Sequence, residues 1–339
     1  MAPGLKLDKG ELLGIITHFM ETLDQELKKA VELINKSSKI LLVSHKRPDG
    51  DTLGASLAFH FALKQMGKET TLACMDGAPE RLQFMPSSKE FVHEFNYLDY
   101  DLIIVSDAGA YHMTGFHEVY PDFLSRKVPI INIDHHQSND NFGTINIVDA
   151  QASSATMIVW RLLKMLHIQL TKEIAISLLS GIYNDTGAFL HANTTQETFE
   201  MAGELAQAGI SISDIVKPMF RQSSLSQLKL WGYILENARK NENNILSAVI
   251  SESDFKLLGA HHSDTGGIID LLNTVPEVDY AMLVAEDGGV VKGSLRTQKD
   301  DVNLSDIAAQ FGGGGHKKAA GFRVNGKLEK KIVWKIVPA

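Results

Sequence analysis

The first 150 residues alternate short, almost continuously apolar runs with longer amphipathic ones. An amphipathic stretch over residues 20–37 is followed by apolar runs at 40–43, 70–74, 102–105, 130–133 and 145–148, and a helical pattern over 53–66 lies between the first two. Strands that are apolar at successive positions are covered on both faces, as in parallel sheets flanked by other layers. The pattern therefore predicts an α/β domain with a parallel sheet.

The rest of the chain has a different pattern and predicts a second, smaller α/β domain. Helical periodicity covers 155–165, 172–182, 197–208, 213–220 and 224–240, and a polar asparagine-rich turn follows at 241–244. Beyond the turn, strands are predicted at 246–250, 280–285, 290–295 and 321–324, with helices at 264–272 and 304–311. We predict an N-terminal domain over 1–210, a helical linker over 211–243 and a C-terminal domain over 244–339.

Length, charge and cysteine content narrow the class of protein. A chain of 339 residues suits two domains better than one core. Its net charge of −8 argues against a protein that binds long nucleic-acid duplexes through phosphate neutralisation. The single cysteine, Cys74, excludes an internal disulfide, and no apolar run reaches the length of a signal peptide or a membrane span. We expect a soluble cytoplasmic protein.

Polar side chains follow three of the predicted strands directly. His45 comes after the first strand, Asp107 after the third, and the triplet Asp134-His135-His136 after the fourth. Ligands collect at the carboxyl ends of strands in open parallel sheets, so we expect these side chains to converge. Asp185 lies at the end of a helical run, where an unpaired buried carboxylate would be costly.

The segment from His45 to Asp51 has more than one interpretation when it is taken alone. Asp49 and Asp51 are placed to cap the helix that starts near Thr52. An Asp-x-Asp after a strand also occurs as the nucleophile of haloacid-dehalogenase phosphatases. In those enzymes the first aspartate leaves the strand almost at once, whereas here a histidine and three more residues intervene, and Leu53 stands where Thr or Val is expected.

The remaining acidic and histidine residues favour a metal site. Carboxylate oxygens together with imidazole nitrogens suit Mn²⁺ or a comparable divalent ion, and the absence of cysteine ligands disfavours structural zinc. Six candidate ligands are too many for one ion, but two ions that share a bridging carboxylate would use them all. The candidate ligands are His45, Asp49, Asp51, Asp107, His135 and Asp185.

Four motifs follow one another along the chain: His45 to Asp51, Asp107, the triplet Asp134-His135-His136, and Asp185. In these motifs and their order, the chain resembles the DHH phosphoesterases, a family that includes RecJ-like nucleases and family II pyrophosphatases. The resemblance implies that His45, Asp49 and Asp107 bind one metal, and that Asp107 bridges to a second. It implies that the second metal is bound by Asp51, Asp107, His135 and Asp185. It further implies that Asp134 supports the cluster and that His136 faces the substrate, as a general acid or a charge-stabilising group.

A glycine run near the C-terminus is the other candidate binding feature. Gly312 to Gly315, followed by His316, can be a flexible loop, or an anion-binding turn before a helix-like stretch that begins at His316. Arg296 ends a predicted strand and can contact a phosphate with two nitrogens. The Ser-Leu-Arg and Gly-Gly-Gly-His-x-x-Ala-Ala-Gly motifs resemble the DHH-associated C-terminal domain. That resemblance implies a substrate site formed by Arg296, Gly313, Gly314, Gly315 and His316, in a cleft between the domains.

Within the family, the chain is most similar to the stand-alone NrnA-like group. This similarity implies hydrolysis of short oligoribonucleotides, and of 3′-phosphoadenosine 5′-phosphate, by a hydroxide that bridges two Mn²⁺ ions. A phosphodiesterase for cyclic di-AMP or pApA is the alternative enzyme, and a nucleotide-binding sensor is the alternative outside the enzymes. The group often carries an arginine where this chain has Leu190-His191, so substrate preference stays open. A homodimer is a possible assembly, and we expect no membrane partner.

Overall fold

The computed structural model describes residues 9–125, 127–220, 224–315 and 317–329, and for residues 9–20 and 220 it describes the backbone only. The chain divides into two compact units, residues 1–222 and 223–339. We call them the N-terminal and C-terminal units. Across the described ranges, no helix combines the length and apolar character needed to cross a membrane.

The N-terminal unit is built on a five-stranded sheet in which every neighbouring pair is parallel. The order is β2-β1-β3-β4-β5, so β2 is added on one side of β1 and the later strands on the other. The strand order therefore reverses between β1 and β3. Ligands bind at such a switch point in open parallel sheets. The strands are β1 (Lys39–Ser44), β2 (Glu69–Ala73), β3 (Leu102–Ser106), β4 (Ile130–Asp134) and β5 (Ile145–Val148).

Both faces of this sheet are covered, as the apolar strands predicted. Along β1, Ile40 and Leu42 pack into a core shared with the helices, whereas Leu41 and Val43 face a second core rich in aromatic residues. Four 3₁₀ helices lie in the described part of this unit, at Glu80–Leu82, Tyr97–Asp99, Tyr111–Thr114 and Phe123–Ser125. The α-helices of the unit are α1 (Lys9–Lys36), α2 (Gly50–Gln65), α3 (Ala155–Met165), α4 (Lys172–Asp185), α5 (Gln196–Gln207) and α6 (Ile212–Phe220).

Helices α2 and α4 cross at very short distance because glycines line the contact. A Cβ atom on Gly54 would lie 2.3 Å from the carbonyl oxygen of Ser177, and one on Gly50 would lie 2.9 Å from the Cβ of Asn184. Both values are below any ordinary carbon contact, so only glycine fits at these positions. The close crossing brings the first turn of α2, with Asp51, beside the last turn of α4, with Asp185.

The C-terminal unit contains a six-stranded mixed sheet in the order β10-β11-β9-β8-β7-β6. Its helices pack into two cores, one formed with β7 and β8 and the other with β9 and β11. The strands are β6 (Arg239–Lys240), β7 (Ile245–Ile250), β8 (Tyr280–Asp287), β9 (Val290–Arg296), β10 (Gly314–Gly315) and β11 (Ala319–Asn325). The helices are α7 (Leu225–Asn237), α8 (Glu252–Leu258), α9 (Ile268–Leu272) and α10 (Leu304–Ala309), with a 3₁₀ helix at His262–Thr265.

The α/β fold class predicted from the sequence is confirmed, with local corrections. The helix expected over 224–240 ends at Asn237, and the one expected over 264–272 is divided by Gly267, whose φ is +86°. Helix α8 was not predicted. In the range expected as a linker, α6 packs into the core of the N-terminal unit, whereas α7 packs into the core of the C-terminal unit.

The prediction of a helix after the glycine run is wrong, because residues 319–325 form strand β11. β10 pairs with β11, and Gly314 lies opposite Gly321. A Cβ on Gly313 would lie 2.2 Å from the carbonyl oxygen of Gly321, and one on Gly315 would lie 2.6 Å from that of Ala319. Gly313 and Gly315 are therefore required by the tight approach of the chain to β11, and among the described residues of this segment no helix begins after the glycine run.

We expect Gly54→Ala to destabilise the protein, because its new methyl group would overlap the backbone of α4. The free energy of unfolding should fall by about 1–3 kcal/mol, the usual cost of overpacking. Urea denaturation measures it.

Gly203→Ala on α5 is the matched control, because no described atom lies within 4 Å of its Cβ position. It should gain up to about 1 kcal/mol from helix propensity. Equal stability of the Gly54→Ala variant and the wild type would contradict the close crossing.

Candidate metal centre

The carboxyl edge of the parallel sheet delivers three of the candidate residues. His45 follows β1 and Asp107 follows β3, on the two sides of the switch point, and Asp134 ends β4. Asp107 has a φ of +59°, which is uncommon for a residue other than glycine, and its amide donates to the carbonyl of Ile133 at 2.8 Å. The left-handed turn directs the Asp107 side chain into the site instead of along the strand.

Asp49 is the N-cap of α2, as the capping interpretation of the first motif proposed. Its Oδ1 accepts hydrogen bonds from the amides of Asp51 at 2.9 Å and Thr52 at 3.2 Å. The same carboxylate lies 4.0 Å from Nε2 of His45. The capping role and the metal-site role are therefore compatible for Asp49.

Asp51 does not share that role, because it caps a different helix. Its Oδ2 accepts from the amide of Ala155 at 2.6 Å, and its Oδ1 accepts from the amide and the hydroxyl of Thr156 at 3.0 and 2.7 Å. Both residues belong to the first turn of α3. Asp51 is fully buried, so its orientation is fixed on this side by three donors.

Asp107 lies at the centre of the cluster. Its Oδ2 is 3.4 Å from Nε2 of His45, and its Oδ1 is 3.6 Å from Nε2 of His135. His135 in turn lies 3.1 Å from Oδ2 of Asp185. Asp107 thus connects a group on the β1 side of the sheet with a group next to α4.

The side chains assemble into three overlapping sets, and within each set the ligand atoms lie within 4.8 Å of one another. One set contains His45, Asp49 and Asp107; a second contains Asp51, His135 and Asp185; a third contains Asp107, Asp134, His135 and His136. All six residues that the sequence predicted as metal ligands are therefore brought together.

Asp134 has its hydrogen-bonding capacity committed to neighbouring groups of the protein. Its Oδ1 accepts from the His135 amide at 2.8 Å and pairs with Nδ1 of His136 at 2.7 Å, while its Oδ2 accepts from Asn139 at 2.6 Å. Burial acts to raise the pKa of Asp134, but the bonds from His136 and Asn139 outweigh it and hold that pKa below its usual value. The carboxylate therefore stays ionised and orients the His136 ring.

The four other carboxylates create a strong local excess of negative charge. Burial raises the pKa of Asp51 to about 7, and the charges of Asp185 and Asp49 add to the rise. Burial also raises the pKa of Asp107 well above its usual range, with further contributions from the surrounding aspartates. For His135, burial acts to lower the pKa, but Asp185 and Asp51 outweigh it and raise the value to about 9. The site requires compensating positive charge.

Two buried atoms of the cluster are suited to bind a metal ion. Within the described part of the chain, Oδ1 of Asp107 and Nε2 of His135 are buried and form no hydrogen bond of good geometry, although Nε2 lies 3.1 Å from Oδ2 of Asp185. Leaving such groups unpaired costs free energy. Both face the cluster, and carboxylate oxygen with imidazole nitrogen is a donor set that divalent transition ions accept. The residues fit a metal centre.

The turn after Asp185 has an unusual backbone. It leads to Leu190-His191, where the NrnA-like group often carries an arginine. Gly187, Ala188 and Phe189 all have φ values between +54° and +66°. The His191 ring lies against Gly187, and its Nδ1 bonds the carbonyl oxygen of Asp185 at 3.1 Å. Leu190 is 85% exposed. His191 is therefore tied to the backbone of a candidate metal ligand.

The predicted substrate residues lie in the C-terminal unit. Arg296 ends β9, where its Nε donates to Oδ1 of Asp270 on α9 at 3.1 Å and its Nη1 donates to the carbonyl of Leu295. Gly314 and Gly315 form β10, and Gly313 precedes it with its amide bonded to Ala308. His316 lies outside the described residues.

Sequence reasoning missed two residues that support the site, Thr156 and Asn139. A helix start was readable at Ser154, whose side chain accepts from the amide of Met157. The sequence does not reveal that the next two amides bind an aspartate more than a hundred residues away. Asn139 lies five residues after Asp134, in a polar turn without a recognisable motif.

Comparison with known proteins agrees with this geometry. The N-terminal domain model of the DHH family matches residues 39–182, and the DHHA1 domain model matches residues 243–335. The bifunctional oligoribonuclease and PAP phosphatase NrnA of Thermus thermophilus is 30% identical over 89% of this chain and 87% of its own. The chain belongs to the DHH family. The predicted resemblance is thereby confirmed.

Two further proteins are similar to most of the chain. The protein of the same name from Bacillus subtilis is 28% identical over 86% of this chain and 91% of its own. The crystal structure of an exopolyphosphatase-related protein from Bacteroides fragilis superposes with a TM-score of 0.83 at 26% identity, covering 90% of this chain and 92% of that one. Both units of this DHH protein therefore have counterparts in these relatives.

We predict that the metal-free protein loses stability as the pH rises from about 6 to about 9. Asp51, Asp107 and His135 have raised pKa values, so the folded chain holds protons that the unfolded chain has released. Folding stability must then fall with rising pH through this window. The measurement is the Tm in EDTA at a series of pH values.

Asp107→Asn removes one of the crowded carboxylates and is the comparison variant. Its Tm in EDTA should depend less on pH, and should exceed that of the wild type at about pH 8. A wild-type Tm in EDTA that rises between pH 6 and 9 would contradict this account of the site.

Proposed function

We propose that this DHH protein hydrolyses short oligoribonucleotides to mononucleotides, and 3′-phosphoadenosine 5′-phosphate to AMP. The observation that carries the proposal is the convergence of six candidate ligand side chains, among them Asp107, whose buried Oδ1 forms no hydrogen bond within the described residues. The names of the relatives from Thermus thermophilus and Bacillus subtilis support the substrate class.

The ligand sets suggest how the residues divide between two divalent ions, which we propose to be Mn²⁺. His45, Asp49 and Asp107 would hold one ion, and Asp51, His135 and Asp185, with Asp107 as the bridge, would hold the other. Ions bound there would supply an activated water and offset charge on the phosphate oxygens.

His136 is the group of the cluster best placed to act on the substrate. Its Nδ1 is held by Asp134 at 2.7 Å, so the opposite edge of the ring has a fixed direction. The ring is about a quarter exposed, which leaves it accessible from solvent. We propose that His136 donates a hydrogen bond or a proton to the phosphate ester, while Asp134 keeps the ring in orientation.

We propose that the C-terminal unit binds one end of the substrate through Arg296, the glycine strand and His316. Arg296 is about one-third exposed, and its Nε is engaged by Asp270, which leaves the guanidinium able to donate further bonds.

A substrate screen tests the proposed function. Purified protein with Mn²⁺ is incubated with RNAs of two to five nucleotides, pApA, cyclic di-AMP and 3′-phosphoadenosine 5′-phosphate. We expect mononucleotide release from the dinucleotides and AMP from the bisphosphate. Preference for cyclic di-AMP or pApA would favour the alternative phosphodiesterase, and binding of nucleotides without hydrolysis would favour a sensor.

We predict that Asp107→Asn lowers kcat on a dinucleotide by more than about a hundredfold, since the residue contacts both ligand sets. Steady-state kinetics with Mn²⁺ measure the effect, and circular dichroism checks that the variant is folded. Undiminished turnover would refute the assignment of Asp107.

We predict that Arg296→Ala raises KM by about tenfold or more while kcat changes little, because a charge-assisted bond to the substrate is lost. Arg239→Ala is the matched control in the same unit, since the Arg239 guanidinium bonds backbone carbonyls of residues 236 and 238. A KM for Arg296→Ala equal to that of the control would exclude a substrate contact.

The location and the partners of the protein are further parts of the proposal. We propose that it acts in the cytoplasm on short RNAs and small nucleotides, without membranes or long duplexes as partners. The net charge of −8 supports the preference for short substrates, because long duplexes require a dominant basic surface. A homodimer is the assembly to test first, by light scattering.

A further inference from the structure

The first turn of α3 holds the carboxylate of Asp51 through three hydrogen bonds. The Ala155 amide bonds its Oδ2, and the Thr156 amide and hydroxyl both bond its Oδ1. The first amides of a helix have no partner within the helix, so the carboxylate satisfies two of them, and its charge is favourable at this end of the helix. The Thr156 hydroxyl is the part of this arrangement that a side-chain substitution can remove.

We propose that Thr156 is a positioning residue for the metal site formed by Asp51, His135 and Asp185. Its hydroxyl and the start of α3 fix the Asp51 carboxylate in the orientation that binds the ion. A carboxylate has about four lone-pair directions. Two on Oδ1 and one on Oδ2 are occupied, which leaves one direction on Oδ2 that an ion would use. The inference rests on the metal centre proposed above.

The surrounding packing makes the Thr156 hydroxyl difficult to replace. Asp51 and Thr156 are both fully buried. A Cβ on Gly181 of α4 would lie 2.4 Å from the Thr156 hydroxyl and 2.5 Å from Oδ1 of Asp51, so α4 closes directly over this hydrogen bond. If the hydroxyl were removed, the carboxylate would lose a donor in a place that water cannot easily enter.

Helix α3 is itself firmly attached to the unit. Arg161, in the middle of α3, donates to Asp149, which follows β5, at 2.6 Å, and to Glu197 on α5 through Nε at 2.7 Å. The helix start that holds Asp51 is therefore not free to move with it. Partners of this kind behind a metal ligand fix its orientation, and their loss typically costs about 10–100-fold in metal affinity.

The test measures Mn²⁺ binding to the metal-free protein without substrate, by electron paramagnetic resonance and titration calorimetry. Thr156→Val removes the hydroxyl and nearly keeps the volume, while Thr156→Ser keeps the hydroxyl. We expect Thr156→Val to weaken one of the two binding steps by about tenfold or more. The other step, assigned to His45, Asp49 and Asp107, should stay within about twofold, and Thr156→Ser should stay within about twofold for both.

The outcomes separate this inference from the proposed function. If Thr156→Val binds two ions with wild-type affinities, Thr156 has no positioning role, but the metal centre is unaffected. The same conclusion follows if the Val and Ser variants both weaken the two binding steps equally. Wild-type protein that binds fewer than two ions would overturn the centre and this inference together. If Thr156→Val does not fold, Thr156→Cys, with a similar size and a weaker donor, should shift the same step.

Discussion

The constraint on which this structure depends is the mutual repulsion of carboxylates gathered in a buried place. Asp49, Asp51, Asp107 and Asp185 meet at the carboxyl edge of the parallel sheet, and burial with this crowding raises the pKa values of Asp51 and Asp107. Such an arrangement is unfavourable for folding by itself. It is tolerable where cations bind and where the surrounding fold holds the side chains in place.

The fold of the N-terminal unit supplies that support from several directions. The switch point between β1 and β3 sets His45 beside Asp107, and the left-handed turn at Asp107 directs its carboxylate inward. The glycine crossing of α2 and α4 allows Asp51 and Asp185 to approach. The start of α3 offers amides to Asp51. Each device is a backbone feature, so the site is built into the architecture and not added to its surface.

The sequence predicted those parts of the structure that are encoded locally. Continuously apolar runs identified the five parallel strands, and the polar residues directly after them identified the site. Helix α8 was not predicted because its seven residues are too few to show a helical periodicity. Its end signals are present, since Ser251 and Asp254 form a capping box and Gly259 ends the helix.

Features that depend on distant partners were less predictable. The glycine run appeared to precede a helix because its pairing with β11 and the pairing of β11 with β9 are tertiary contacts. Asp49 and Asp51 looked equivalent as caps of α2. The actual partners of Asp51 are Ala155 and Thr156, more than a hundred residues further along the chain, and no local pattern reveals them.

The most direct test of the central claim is a crystal structure of the protein soaked in Mn²⁺, with anomalous scattering recorded at the manganese edge. The account predicts two anomalous peaks that flank the Asp107 carboxylate, one beside His45 and Asp49 and the other beside His135 and Asp185. An absence of peaks at Asp107, or manganese bound only elsewhere on the protein, would contradict it.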